Sequence, residues 1–438
     1  MTILTKTEAE ALLKKVLGYS KAEACEVTLT GSDSGNLRYA LNAVSTSGGM
    51  SRSSLAVRSF YGNKEGTATI NEFDDASLMK TVKRSEELAQ FAPQNPEYVE
   101  LLGPQVYAEA KTFIPATADI TPRYLANETA KSLEIAKANK LTAAGFIEHS
   151  AGFTAVMNSK GLFAYNTGTD VSFSVTLRTA DGKGSGYASK SYNDVAQLDI
   201  AKLSSVAAQK AVASTNAKAL EPGKYTVILE PDAAESLLQG LFSGLDARSA
   251  DEGRSFLSKA GGKTKLGDRL LDEQVTFYSD PLTPDLPGST WSADGRPQEK
   301  VTWIENGIVK NLYYSRYWAQ KQGVKATPRP NGIIMKGTNA SLEDLIKGTE
   351  KGILVTRFFY IRAVDPQTLL YTGLTRDGTF YIENGKIMFP VKNFRFNESP
   401  VIMLNNLDAL GKPERVGNSL IPPMRIRDFT FSSLSDAV

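Results

Sequence analysis

The side chains able to do chemistry are few. The chain carries one histidine, His149, and one cysteine, Cys25. A helix that holds zinc with two imidazoles is excluded outright. One thiol also excludes an intrachain disulfide framework and any CxxC zinc or iron–sulfur site. A nucleophile–histidine enzyme would have to use His149 as its base, and a Cys25–His149 pair would be defined by spatial geometry. Taken alone, His149 follows Ile147-Glu148 and reads as an ordinary strand-end histidine. Cys25 stands beside Glu26 at the start of a strand-like run and reads as a small buried hydrophobe.

Charged and polar clusters offer further candidates. Asp232, Glu235, Asp246, Asp251 and Glu252 fall close together and could present oxygens to a hard cation, but their spacing matches no calcium loop. Solvated helix-end charges explain them more simply. Arg357, Tyr360, Arg362 and Arg376 lie on or beside predicted strands. They could line a groove for an extended peptide, with arginine forks capturing carboxylates, or be paired arginines on a sheet face. Gly182–Gly186, GKGSG, lacks the spacing of a phosphate loop and joins strand to strand, so it reads as a hairpin tip. The run Tyr313-Tyr314-Ser315-Arg316-Tyr317-Trp318 suits either a partner surface or a helix packed in the core.

These groups need a scaffold, and the composition bounds it. The 438 residues exceed one small core, and 41% hydrophobic with 22% charged is ordinary globular usage. Fifty basic against 48 acidic residues give no basic groove for nucleic acid and no polybasic membrane patch. The N-terminus has no apolar signal-like stretch, and no run of 18 apolar residues occurs. The expectation is a soluble cytoplasmic protein.

Thr7 and Glu10 have capping-box spacing and predict a first helix. Strand-like runs follow at Glu26–Thr30, Arg38–Val44 and Leu55–Tyr61, then a helix over Asp74–Phe91. A proline-rich connector reaches Pro122, which sits at the first helical position of a second long helix, to about Lys140. Thr142–Glu148, Phe153–Asn158, Leu162–Asn166 and Val171–Thr179 read as strands, and Asp194–Lys218 as a helix. The order helix–strands–helix therefore occurs twice, as two similar parts of about 1–92 and 121–218 without convincing sequence identity. Tyr225–Leu229 is a strand and Pro231–Leu245 a helix. Ser258–Pro297 reads as a long loop. Asn306-Gly307 and Asn384-Gly385 each sit between β-prone runs, the signature of a two-residue hairpin turn. Ile353–Val364, Thr368–Thr372, Thr379–Ile382, Val391–Phe396, Val401–Leu404 and Met424–Phe431 complete a β-rich second half. The fold class is α+β in two domains: a mixed α/β half over 1–218 and a mostly antiparallel β half over 219–438.

The ordered landmarks resemble one family. Gly352–Arg357, Asp377–Ile387 and Phe389–Lys392 are similar to the C-terminal signature of the TldD/PmbA (TldE) family, also known as modulator of DNA gyrase. Pro222–Leu229 resembles the opening of its C-terminal domain and Pro423–Phe429 its closing strand. The match runs in order over nearly the whole chain and is weaker in the N-terminal half.

The resemblance implies two kinds of subunit. TldD-type chains are zinc metalloproteases with H-E-x-x-x-H on a helix and a later cysteine ligand. PmbA/TldE-type chains share the fold, lack the ligands and pair with the first, and the heterodimer degrades unfolded peptides. On that motif this chain places Gln239, Gly240 and Gly244, and it has no cysteine after Cys25. Gln and Gly supply neither a good zinc ligand nor a base. The expectation is a non-catalytic PmbA/TldE-like subunit without catalytic residues or metal of its own, zinc belonging to the partner. It would complete a peptide-binding chamber with a TldD-like homologue, or pair with itself, and Arg357, Tyr360 and Arg376 are its substrate-binding candidates. The alternative is a stand-alone metallopeptidase or amide-bond enzyme using other residues.

Overall fold

The computed structural model describes residues 3–435. Helix α1 (Lys6–Tyr19) is capped by Thr5 and Glu8, whose side chains satisfy each other's backbone N–H groups. The box thus lies two residues before the expected Thr7/Glu10 pair. Both have the required spacing, and Glu10 instead pairs with Lys14 at 2.6 Å. Strands β1 (Ala24–Ala40), β2 (Ala43–Tyr61) and β3 (Lys64–Ile70) form a meander, followed by α2 (Asp75–Phe91), capped by Asp74. A one-turn helix α3 (Pro115–Ala118) interrupts the connector. The pattern then recurs: α4 (Pro122–Ala138), β4 (Leu141–Asn158), β5 (Phe163–Thr179), β6 (Ser185–Tyr192) and α5 (Ile200–Ala213). The expected short strands are therefore pieces of continuous ones, except that Arg38–Val44 straddles the β1–β2 hairpin turn, where Leu41 and Asn42 have positive φ. Ser32–Asn36 and Ser45–Ser54 show no apolar alternation because neither face there is deeply buried, and cross-strand pairing holds them extended.

The six strands form one antiparallel sheet, ordered β3-β2-β1-β4-β5-β6. Side chains alternate along a strand, so residues of one parity share a face. Val27, Leu29, Leu37 and Tyr39, with Ile147, Phe153, Val171 and Phe173, all carry odd numbers and bury under the helices. Helices α1 and α2 cover one end of the sheet, α4 and α5 the other. The third strand of each part carries a glycine against its helix. A Cβ on Gly66 would lie 2.2 Å from Ala89 N, and one on Gly186 2.1 Å from Ala207 O. His149 lies mid-strand in β4, not at a strand end, and Cys25 is buried.

The second half begins with β7 (Gly223–Leu229), α6 (Pro231–Ser243) and α7 (Ala247–Asp251). Between Ser258 and Pro297 only three short strands form: β8 (Ser258–Lys259), β9 (Lys263–Thr264) and β10 (Phe277–Ser279). Then come β11 (Val301–Glu305), β12 (Ile308–Val309), α8 (Arg316–Gln322), β13 (Ile333–Met335), α9 (Leu342–Lys347), β14 (Lys351–Asp365), β15 (Leu370–Glu383) and β16 (Lys386–Pro390). The chain continues through β17 (Phe394–Glu398), α10 (Pro400–Asn405), β18 (Leu407–Leu410), β19 (Glu414–Val416), β20 (Ser419–Ile421) and β21 (Met424–Leu434). Asn306, Gly307, Asn384 and Gly385 all have positive φ, as the two-residue turn requires. Val401–Leu404, expected as a strand, is helical. Ser399 caps α10 and Pro400 occupies its first position, and these start signals outweigh β propensity.

The expected curled sheet goes further and closes. Strand β14 pairs with β7 and β15, β7 with β21, β21 with β17, and β17 with β15. The β7–β14 pair is parallel and the others in the ring antiparallel. Phe358, Phe394, Phe396, Phe429 and Phe431 fill it, with ring centroids 4.4–5.8 Å apart among contacting pairs. A second sheet, β12-β11-β10-β13-β20-β19, packs on the same core. In the Tyr313–Trp318 run, Ser315 caps α8 and Trp318 buries in that core.

Candidate functional site

Strand β7 delivers the chain into α6 with Pro231 at the first helical position. Ala233, Ala234, Leu237, Leu238 and Leu241 bury one face. The remaining stripe is polar: Asp232, Glu235, Gln239 and Ser243, spaced three or four residues apart. Gln239 is exposed, and its amide nitrogen donates to the Glu235 carboxylate.

Gly240 and Gly244 have helical backbone geometry, so left-handed conformation is not what selects glycine. Space is. An ideal Cβ on Gly240 would lie 1.9 Å from the Tyr371 hydroxyl oxygen, and one on Gly244 2.6 Å from Phe256 Cε1. The positions that the resemblance assigns to zinc-site side chains are thus occupied by a phenol and a phenyl ring. A zinc ion needs about three N, O or S ligands plus an open position. Gln239, Gly240 and Gly244 do not fit that need, and among the described residues no three His, Cys, Asp or Glu side chains converge. The acidic cluster disperses: Asp246 caps α7, Asp251 accepts from Trp318 Nε1 at 2.6 Å, and Glu252 pairs with Arg248 and Arg254.

Asp232 and Glu235 depart from the solvated reading. Burial pushes the Asp232 carboxyl above its usual range, against the pull of Lys190, Ser189, Lys210 and Arg357. Burial also raises Glu235, opposed by a hydrogen bond from Gln239, while the Asp232 charge adds to the rise. Ser189 Oγ donates to Asp232 Oδ1 at 3.0 Å.

Strand β6 lays Ser185, Tyr187 and Ser189 along this part of the C-terminal half. Ser185 Oγ donates to Asp377, whose side chain is 1% exposed. Arg357 Nε lies 2.8 Å from Asp377 Oδ2, a charge contact with the N–H not aligned on the oxygen, and its guanidinium covers the Tyr187 ring at 3.9 Å. Arg376 covers Phe359 at 4.0 Å and stands 4.0 Å from Asp377. Lys210 pairs with Glu230 at 2.7 Å, and Thr356 Oγ1 donates to Glu230 at 3.3 Å. Arg357 and Arg376 are therefore tied into a shared charge cluster. Tyr360 is 60% exposed with φ of 56°, and Arg362 rests on its ring at 4.3 Å. Sequence reasoning missed Tyr371 and Phe256. The available signal was Gly240 inside an apolar helix, which costs about 1 kcal/mol against alanine unless packing demands it.

Comparison with known proteins gives three consecutive matches, all to domains of one family. The PmbA/TldA metallopeptidase domain 1 matches residues 25–89, the central domain 117–215 and the C-terminal domain 222–433. Metalloprotease PmbA of Escherichia coli O157:H7 is 22% identical, covering 97% of this chain and 98% of its own. A metalloprotease TldD homolog of Buchnera aphidicola is 23% identical over 84% of this chain and 79% of its own. The fold is that of TldE from Thermococcus kodakarensis, with a TM-score of 0.86 and 19% identity over 98% of this chain and all of that one. A Thermotoga maritima protein described as a modulator of a DNA gyrase has a TM-score of 0.87 and 16% identity over 97% of this chain and all of that one.

Proposed function

The chain belongs to the PmbA/TldD metallopeptidase family, and from that premise we propose that it is a non-catalytic, PmbA/TldE-like subunit of a TldD-type zinc protease acting on unfolded peptides. One observation carries the reading. Tyr371 and Phe256 fill the places where motif side chains on α6 would stand, and Gln239 is the sole side chain left at the motif positions. A protein that needs no ligand there is free to use that volume for packing. The catalytic zinc would then belong to a homologue carrying H-E-x-x-x-H, and this chain would complete the chamber around it, in the cytoplasm. The partner would be that homologue in a heterodimer, or a second copy when the protein is alone.

The test is affinity capture of the tagged protein from its native cytosol, with metal analysis of the purified chain. A near-stoichiometric homologue bearing the intact motif, and no stoichiometric zinc on this chain, are the expected results. Stoichiometric zinc, or peptide hydrolysis by the isolated chain, would reject the proposal. The second reading, a stand-alone amide-bond enzyme, rests on the sheltered Asp232 and Glu235 carboxyls, since a carboxyl that holds its proton to higher pH suits a general acid. Hydrolysis abolished by Asp232→Asn would select it.

A further inference from the structure

A regular strand sets successive side chains on opposite faces, so neighbours do not share a target. Strands β14 and β15 break that rule at one place. Their register shifts between Val355 and Arg357, and on the facing strand Asp377 has a φ of 55° and Gly378 one of 124°. A bulge and a left-handed aspartate cost free energy, and such distortions gather where a side chain has to be re-aimed. Here they bring three charged groups together. Arg357 stands directly opposite Arg376 in the ladder, and the two Nε atoms lie 2.8 and 4.0 Å from Asp377 Oδ2. Like charges directly opposite on paired strands are destabilising unless a counter-charge compensates them.

One carboxylate does not compensate fully. Burial holds Arg376 below its ordinary value; the Asp377 charge opposes that fall, while Arg357 and Arg178 add to it. Arg178 is brought in by β5, where it pairs with Ser185, the donor to Asp377. The other carboxyl that feels Arg357, Asp232, is shared with Lys190 and Lys210, and burial disfavours its charge.

Arg357 itself is braced but not satisfied. Its guanidinium lies on the Tyr187 ring at 3.9 Å, with Phe359 6.0 Å away. Its side chain is 21% exposed, so the group is sheltered yet reachable. Nε is buried, and among the described residues no guanidinium N–H of Arg357 makes an aligned hydrogen bond. A planar fork of donors, held on an aromatic face and left without acceptors, matches the paired oxygens of a carboxylate or phosphate.

We propose that the Arg357–Arg376 pair binds an oxyanion, a carboxylate or phosphate group, with Asp377 orienting the Arg357 fork. Tyr187 comes from the N-terminal half and the arginines from the C-terminal half, so the bound group would sit at the joint between them. The site belongs to this chain alone and needs neither zinc nor a partner.

The probes are inorganic phosphate and succinate, each titrated calorimetrically into the full chain at low ionic strength, with sodium chloride as the control for screening. Saturable one-to-one binding of at least one probe is expected, with a Kd of about 1 mM or below and a melting temperature that climbs with its concentration. Tighter binding of phosphate would assign a phosphorylated ligand, and tighter binding of succinate a carboxylate. Arg357→Gln removes the fork and should abolish binding. Arg357→Lys keeps a charge beside Asp377 without the fork; it should weaken binding about tenfold, and it serves if the first variant fails to fold. No saturable binding by the native chain, an equal effect of chloride at matched ionic strength, or unchanged affinity in folded Arg357→Lys would overturn the proposal. So would binding seen only in Asp436→Ala, a position outside the described residues, because the site would then serve a carboxylate of this chain. The capture and zinc experiments are independent of every one of these outcomes.

Discussion

The Tyr371 hydroxyl stands in the volume that a β-carbon on Gly240 would need, 1.9 Å from its ideal position. Gly240→Ala therefore forces the phenol or the helix to move, at a cost of about 1–3 kcal/mol. Tyr371→Ala vacates the space. The double variant should lose clearly less than the sum of the two single losses, because the second change relieves the first. Thermal unfolding of the four proteins checks this, and additive losses would refute the packing argument.

Asp377 ties the halves together, accepting from Ser185 of β6 and facing Arg357 of β14. Asp377→Ala strips the guanidinium of its closest carboxylate and should cost about 2–4 kcal/mol. Asp377→Asn should cost less. It keeps an oxygen for Ser185, and Asn tolerates the φ of 55° found there. Equal melting temperatures for the two variants would contradict this ranking.

The carboxyls on α6 and the lone imidazole give opposite pH dependences. Asp232 and Glu235 have raised folded values, so between the ordinary range and those values the folded chain holds more protons than the unfolded one. Their contribution to stability falls as pH rises through that window. Asp232→Asn should therefore raise the melting temperature near neutral pH. Burial lowers His149, so its contribution is complete above about pH 6.5 and is lost as pH falls below it. Its imidazole proton resonance, the single such signal in the spectrum, should titrate below that pH. A midpoint above it would contradict the buried environment.

Gly186 and Gly18 make a controlled pair. Gly186→Ala would press a methyl onto Ala207 O of α5 and should destabilise by about 2 kcal/mol or more. Gly18 lies in α1 with open space around its α-carbon, so Gly18→Ala should stabilise by about 0.5–1 kcal/mol. Calorimetry on both variants measures the contrast; a harmless Gly186→Ala would count against close strand–helix approach.

Much of the fold was legible because local signals were strong. Asp74, Thr121-Pro122 and Pro231 mark helix starts where the structure has them, and both Asn-Gly turns form. What the sequence hid were properties set by distant partners. The middle of the β1–β2 hairpin is extended only because its neighbour strands are. Closure of the β14-β7-β21-β17-β15 ring joins segments some 200 residues apart, and no local period encodes that. The degenerate motif was readable as an absence of ligands. Tyr371 and Phe256, which fill it, come from elsewhere in the chain and were not.

The sheet that joins the two repeated parts also orders events on the ribosome. Strand β1 pairs at once with β2, but its other edge meets β4, which begins roughly 100 residues later. At about 5–20 residues per second the nascent chain displays an open strand edge for several seconds. That edge is a template for pairing with a neighbouring chain. Its centre, Gly31 to Asn36, is built of Gly, Ser, Asp and Asn, poor material for intermolecular association. The segment whose lack of apolar pattern concealed a strand is thus the stretch of that edge least suited to pairing with a neighbouring chain.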